Sequence, residues 1–289
     1  MPGSSSPVIE NPWQTLRRFT SARIALGRAG VSLPTDAQLA FQLAHAQARD
    51  AVHLALDAEH LQAALRAAEI PGAAESYILH SAAQDRLTYL QRPDLGRRLS
   101  DASRGMLTDA DHQFIQQAPL YDVGFVVADG LSALAISNNT VPFLATLQTR
   151  IAAHGWRQAP LAIVRQGRVA VGDEVGSLLR TRLVVVLIGE RPGLSSPDSM
   201  GLYISWMPRV GMSDAERNCI SNIRPGGMSY SEAAYRLDYL LVEARRRQLT
   251  GVQLKDESGV EAVLEDASKR PQVPASLSFL TPVTPANEG

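Results

Sequence analysis

Lysine is almost missing: the chain carries 28 basic residues of the Lys and Arg types, and only Lys255 and Lys269 are lysines. Nearly all the positive charge is therefore the planar, multiply donating guanidinium of arginine, a bias that genomic base composition explains equally well. There is no excess of charge either, with 28 basic against 29 acidic residues. That balance leaves no broad positive field for a nucleic-acid backbone or an anionic membrane. A single cysteine, Cys219, excludes an intrachain disulfide framework and a cysteine-cluster metal site. Long apolar runs are lacking too. The longest β-like one, residues 183–188, is far too short to cross a bilayer, and no basic segment leads into an apolar one at the N-terminus, so the cytoplasm is the expected compartment. No GxxxxGK loop, GxGxxG turn, GxSxG elbow or HExxH pair occurs, which removes the best support for conventional nucleotide and hydrolase chemistry. The six histidines, at 45, 53, 60, 80, 112 and 154, do not group with carboxylates at metal-ligand spacing, and packed or solvent-facing roles are expected for them.

What is present is an ordinary globular composition, 45% hydrophobic and 20% charged over 289 residues, for which two domains are expected. Residues 1–10 read as a flexible leader. Residues 15–26 have a helical pattern. Thr35-Asp36 offers an N-cap to a second helix with Leu39, Leu43 and Ala46 on one face, and Asp57 caps a third with Leu61, Leu65 and Ala68. Residues 77–90 are ambiguous, and Arg92-Pro93-Asp94 is a turn leading to a helix through Arg104. Residues 11–115 thus read as a small N-terminal helical domain.

The texture changes after Pro119. Residues 121–128 form a β-rich run ending in the polar break Asp129-Gly130. Val141-Pro142 suits the first turn of a helix carrying Leu144, Leu147 and Ile151 and stopping at Gly155. Further strands are expected at 161–165, 183–188 and 202–206, with a short helix over 174–179. Alternation of strands and helices predicts an α/β fold over 116–255, Rossmann-like, with a mostly parallel sheet and helices on both faces. Ser229 and Glu232 form a capping box for a long helix with Leu237, Leu240, Leu241 and Ala244 inward, terminated by Gly251. Residues 256–289 are expected to be a tail, with a short helix over 260–267 and then an extended run bearing Pro271, Pro274, Pro282 and Pro285.

Two segments stand apart. Residues 184–194 are a buried-type strand emptying into Gly189-Glu190-Arg191-Pro192-Gly193-Leu194, at the carboxyl end where open α/β sheets bind ligands; the plainer alternative is a surface turn with a local ion pair. Residues 217–227 form a second polar loop ahead of the capped helix. Its Cys219 is by default a small packed residue rather than a nucleophile.

At these residues the sequence resembles the ethanolamine ammonia-lyase small subunits. The Gly189-Glu190-Arg191-Pro192-Gly193-Leu194 and Cys219-Ile220-Ser221-Asn222-Ile223 stretches look like the family's paired signatures. Ser21-Ala22-Arg23, Gly27-Arg28-Ala29-Gly30, Arg92-Pro93-Asp94-Leu95-Gly96-Arg97-Arg98-Leu99 and Asp129-Gly130-Leu131-Ser132 match in order and spacing, so the resemblance spans roughly 12–255. It implies a lyase subunit, not catalytic alone, that helps a large barrel subunit bind adenosylcobalamin for the radical conversion of ethanolamine to acetaldehyde and ammonia. It also implies a hetero-oligomer with six copies of each chain, in the cytoplasm or within an ethanolamine-utilisation bacterial microcompartment. The leader is short beside family members whose longer N-terminal extension is associated with that compartment.

Carried over residue by residue, the family's cofactor contacts fall on Val169, Glu190 and Cys219. Val169 is by default a core residue and as a contact offers apolar packing or its backbone; Glu190 accepts hydrogen bonds; Cys219 offers a soft surface or a weak donor. The Asp-x-His-x-x-Gly signature of other cobalamin enzymes is missing, since Asp57-Ala58-Glu59-His60 has the wrong spacing. The implied mode keeps dimethylbenzimidazole on cobalt, with the α/β domain against the nucleotide side. The alternative from a different class is a stand-alone α/β binding protein for a nucleotide-like ligand.

Overall fold

The computed structural model describes residues 7–108 and 121–259. The leader residues 1–6, the expected helix over 260–267 and the proline-bearing tail lie outside the described residues. The described residues up to Lys255 form one compact unit. Among the described residues no helix is long and apolar enough to cross a membrane.

In chain order the elements are β1 (Val8–Ile9), β2 (Arg28–Ala29), α1 (Thr35–His53), α2 (Ala58–Ala67), β3 (Tyr77–His80), α3 (Arg86–Gln91), α4 (Asp101–Thr108), β4 (Tyr121–Ala128), α5 (Ala133–Ile151), β5 (Ala162–Arg165), α6 (Val171–Leu178), β6 (Thr181–Gly189), β7 (Met200–Trp206), β8 (Asn218–Ile223) and α7 (Tyr230–Arg247). Strands β1 and β2 pair with each other, and the other six form one sheet in the order β3-β5-β4-β6-β7-β8. The first four run parallel, and β7 and β8 return antiparallel. The expected α/β architecture with a mostly parallel sheet is the one formed.

The sheet is buried on both faces, which is why β4 and β6 read as nearly unbroken apolar runs. Val123, Phe125 and Val127 of β4 and Leu183, Val185 and Leu187 of β6 face the layer of α2, α5 and α7. The alternate residues Val126, Ala128, Val184 and Val186 face Val171 and Val175 of α6. Period-2 side-chain alternation thus feeds two separate cores from the same strands.

Several local expectations are corrected. Residues 15–26 contain no α-helix; Pro12–Arg18 is a 3-10 helix with no buried residue, and helical propensity without a core to pack against does not sustain a longer helix. Helix α1 has Pro34 at its N-cap without a side-chain cap, and its inward residues are Ala44, Ala48 and Ala51. Leu39 and Leu43 are instead 58% and 60% exposed. The small alanines suit close packing, so the large side chains are left outside. Helix α5 starts well before Pro142, because the Ser132 hydroxyl accepts from Ala135 N and caps it early. On α7 only half the expected capping box forms: Ser229 Oγ accepts from Glu232 N, while the Glu232 carboxylate reaches Arg236. That helix is closed by Gln248 in the left-handed region (φ 57°), ahead of Gly251.

Candidate functional site

The chain passes from β4 through Asp129-Gly130 into α5 on one face of the sheet, and from β5 through residues 166–170 into α6 on the other. The connections diverge, opening a crevice at the carboxyl ends of the strands, the usual ligand position in such sheets. A half-open cavity of about 450 Å³ lies there, with Tyr89, Leu131, Arg168, Val169, Glu190 and Tyr203 on its wall.

Asp129 organises the crevice. Its buried carboxylate accepts Gln166 N at 2.9 Å and Gly167 N at 3.0 Å, pinning the turn that presents Arg168 and Val169. Burial pushes its pKa up, while those hydrogen bonds and the charge of Arg86 oppose the shift. Arg86 donates to Val52 O at 2.6 Å and to Gly130 O at 2.8 Å. It stacks on the Tyr89 ring 4.7 Å from the centroid, and Arg168 stacks on the same ring at 4.5 Å. Burial first and the Asp129 charge second push the Tyr89 hydroxyl up to about 12, so it is a neutral phenol near pH 7.

The loops after β4 and β6 meet without side chains between them. Gly130 has φ +58°, and a Cβ there would lie 2.2 Å from Gly189 O; a Cβ on Gly189 would lie 2.1 Å from Ser132 O. The backbones are further joined by Leu131 N donating to Gly189 O at 2.9 Å.

Glu190 follows directly. Its N–H donates to Ser199 O at 2.9 Å, and its carboxylate accepts from Ser199 Oγ and from Asn222 N at 3.2 Å. It therefore ties the excursion at 190–199 to β7 and β8, in place of the alternative local ion pair with Arg191. The excursion is also held from the N-terminal arm: Arg23 donates to Leu194 O at 3.0 Å and to Ser195 Oγ at 3.1 Å.

Cys219 is not in a loop, as expected from its polar neighbours. It lies on β8, opposite Tyr203 in the antiparallel register, and only Ile220 and Ile223 turn inward, a spacing of three that goes with the register shift against Met200 and Leu202. The residue is open to solvent, yet desolvation by its neighbours raises the thiol pKa, the Tyr203 hydroxyl opposing and the Glu190 carboxylate reinforcing the shift. A thiol held protonated is a packing surface and weak donor, not a nucleophile. Burial likewise raises the Tyr203 hydroxyl, with Cys219 adding to the shift.

Of the three residues singled out, Val169 and Glu190 line one cavity, while Cys219 stands behind Tyr203. Val169 also packs on the α6 core, so its core and wall roles coexist. Sequence reasoning missed Tyr89, Asp129, Arg168 and Tyr203 as wall or support. An Asp-Gly directly after a buried strand and an Arg beside Val169 were the available signals; Tyr89 had none.

A sequence model of the ethanolamine ammonia-lyase light chain matches residues 10–255. The chain belongs to that family. The chain is 58% identical to the ethanolamine ammonia-lyase small subunit of Azotobacter vinelandii over 268 residues, covering 92% of this chain and 96% of the relative. Similarity to the small subunit of Pseudomonas fluorescens is 58% over 258 residues (89% and 91% covered), and to that of Pseudomonas paraeruginosa 57% over 260 residues (90% and 93%). The match to the light-chain family takes in every residue of the cavity wall.

Proposed function

We propose that this lyase subunit helps a large catalytic subunit hold adenosylcobalamin, in a hetero-oligomer with six copies of each chain that converts ethanolamine to acetaldehyde and ammonia. The carrying observation is the half-open cavity at the carboxyl ends of β4, β5 and β6, with Val169 and Glu190 on its wall. The residues suit part of a large, amide-rich cofactor. Val169 and Leu131 offer apolar surface, Glu190 an acceptor, and Arg168 Nε is buried without a partner. At about 450 Å³ the cavity is too small to enclose a corrinoid, which fits a cofactor shared with a second chain. When bound, adenosylcobalamin supplies the carbon radical by cleavage of its cobalt–carbon bond. This chain's residues bind and orient: Glu190 accepts from a cofactor amide or ribose hydroxyl, Val169 packs, and Cys219 beside Tyr203 offers a soft surface on the β8 side.

The purified chain given ethanolamine and adenosylcobalamin is expected to form no acetaldehyde, and the complex with the large subunit is expected to form it. A coupled alcohol dehydrogenase assay reads both, and acetaldehyde from the chain alone overturns the division of labour.

We place the large-subunit contact on the N-terminal arm, where Trp13, Phe19, Val31 and Leu33 are exposed beside arginines. Removing residues 1–33 is expected to abolish complex formation. Size-exclusion chromatography with the large subunit checks it, and an unchanged complex peak removes the arm from the interface.

A further inference from the structure

Arg168 lies on the cavity wall with its guanidinium only partly satisfied. Its backbone N–H is fixed by Gly96 O at 2.8 Å, its Nη2 donates to Tyr89 O at 2.9 Å, and its guanidinium lies on the Tyr89 ring. Gly96 leaves the room for this, since a Cβ there would lie 3.0 Å from Arg168 Cγ and 3.1 Å from Tyr89 Cδ2. Nε is buried and unpartnered, and among the described residues Arg168 makes no ion pair. The neighbouring polar groups are turned to other partners. Tyr89 is a neutral phenol, the Glu190 carboxylate is engaged by Ser199 and Asn222, and the buried Asp129 is turned to the amides of Gln166 and Gly167. A second guanidinium, Arg86, stacks on the same ring, and its Nη2 is also buried without a partner. Arg86 lies off the cavity wall and serves the buried Asp129, so the held guanidinium of Arg168 on the wall is the pre-organised anion site.

We propose that Arg168 binds the phosphodiester of the cofactor's nucleotide tail, an assignment that rests on the cobalamin reading above. A diester monoanion matches a single guanidinium with one free edge, and its binding orients the tail against the β5–α6 turn. Arg168 then acts on the ligand directly, and Tyr89 and Gly96 hold it in place.

The experiment is absorbance titration of the assembled two-subunit complex with adenosylcobalamin and with adenosylcobinamide, which lacks the phosphate, ribose and base. Wild type, Arg168→Lys and Arg168→Met are compared, with assembly checked by size-exclusion chromatography. The ratio of the two dissociation constants is the readout. In Arg168→Met the preference for the complete cofactor is expected to fall about tenfold, with adenosylcobinamide affinity held within about twofold, and Arg168→Lys is expected to restore part of it. An unchanged ratio, whether both ligands weaken together or neither does, overturns the phosphodiester contact and leaves Arg168 a structural residue. A wild-type complex that binds neither ligand overturns the cobalamin reading itself. Inorganic phosphate is titrated against the adenosylcobalamin complex: competition lost in Arg168→Met supports the anion site, and equal competition in wild type and variant counts against it.

Discussion

Arg217→Met is expected to cost about 3–5 kcal/mol of folding stability, the usual consequence of removing one member of a buried ion pair. Arg217 and Asp173 pair with both side chains only 2% exposed. Arg217 also donates to Met212 O at 3.0 Å and to Asp214 at 2.7 Å, and Ser205 Oγ donates to Asp173 at 3.2 Å. The pair fastens α6 to the segment entering β8, so its loss leaves a carboxylate buried among apolar side chains. Burial already raises the Asp173 pKa, with Arg217 opposing. A carboxyl whose folded pKa lies above its unfolded value binds protons more tightly when folded, so its contribution to stability falls as pH rises through that interval. The deficit of Arg217→Met is therefore expected to be larger at pH 7 than at pH 4.5, and Asp173→Asn in that background is expected to recover part of it. Urea unfolding at both pH values measures this; a loss below about 1 kcal/mol at pH 7 contradicts it.

Glu190→Ala is expected to weaken adenosylcobalamin binding by the assembled complex roughly tenfold to a hundredfold, corresponding to an unpaired donor in the buried cofactor interface. The effect has two sources. The alanine removes the acceptor offered to the cofactor, and it also releases Ser199 and Asn222, so the excursion at 190–199 loses its tie to β8. Glu190→Gln keeps one acceptor oxygen and similar size and is expected to lose only about threefold. Cys219→Ser keeps a donor and similar volume and is expected to be milder than Glu190→Ala. Titration by cobalamin absorbance ranks the variants. Unchanged affinity in Glu190→Ala, in a complex that still assembles, takes Glu190 out of the site.

The parts of the fold legible beforehand are those where one signal dominates. β4 and β6 are apolar on both faces, α6 and α7 carry clear 3.6-residue periods, and Asp57 caps α2 as expected. What escaped was decided by tertiary context. β8 is an edge strand with only two inward residues, so its polar sequence imitates a loop. Helix α1 turns its alanines inward, reversing the face that leucine periodicity suggests. In the candidate site, Glu190 was legible because it follows a buried strand. Tyr89 was not, because its wall position depends on α3 packing beside Arg168, 79 positions further along the chain.

The contact between Gly130 and Gly189 limits how the crevice can diversify. A side chain on Gly130 would meet the Gly189 carbonyl, and one on Gly189 would meet the Ser132 and Asp129 carbonyls, so neither position is open to change without prising the two loops apart. Two of the strands that frame the crevice thus contribute bare main chain there, and ligand preference in this scaffold must be tuned from other positions. The adjustable ones are Tyr89, Leu131, Arg168, Val169, Arg191 and Tyr203, whose side chains border the cavity without occupying that junction. A library that aims to adapt the pocket to an altered corrinoid should randomise those six and keep both glycines.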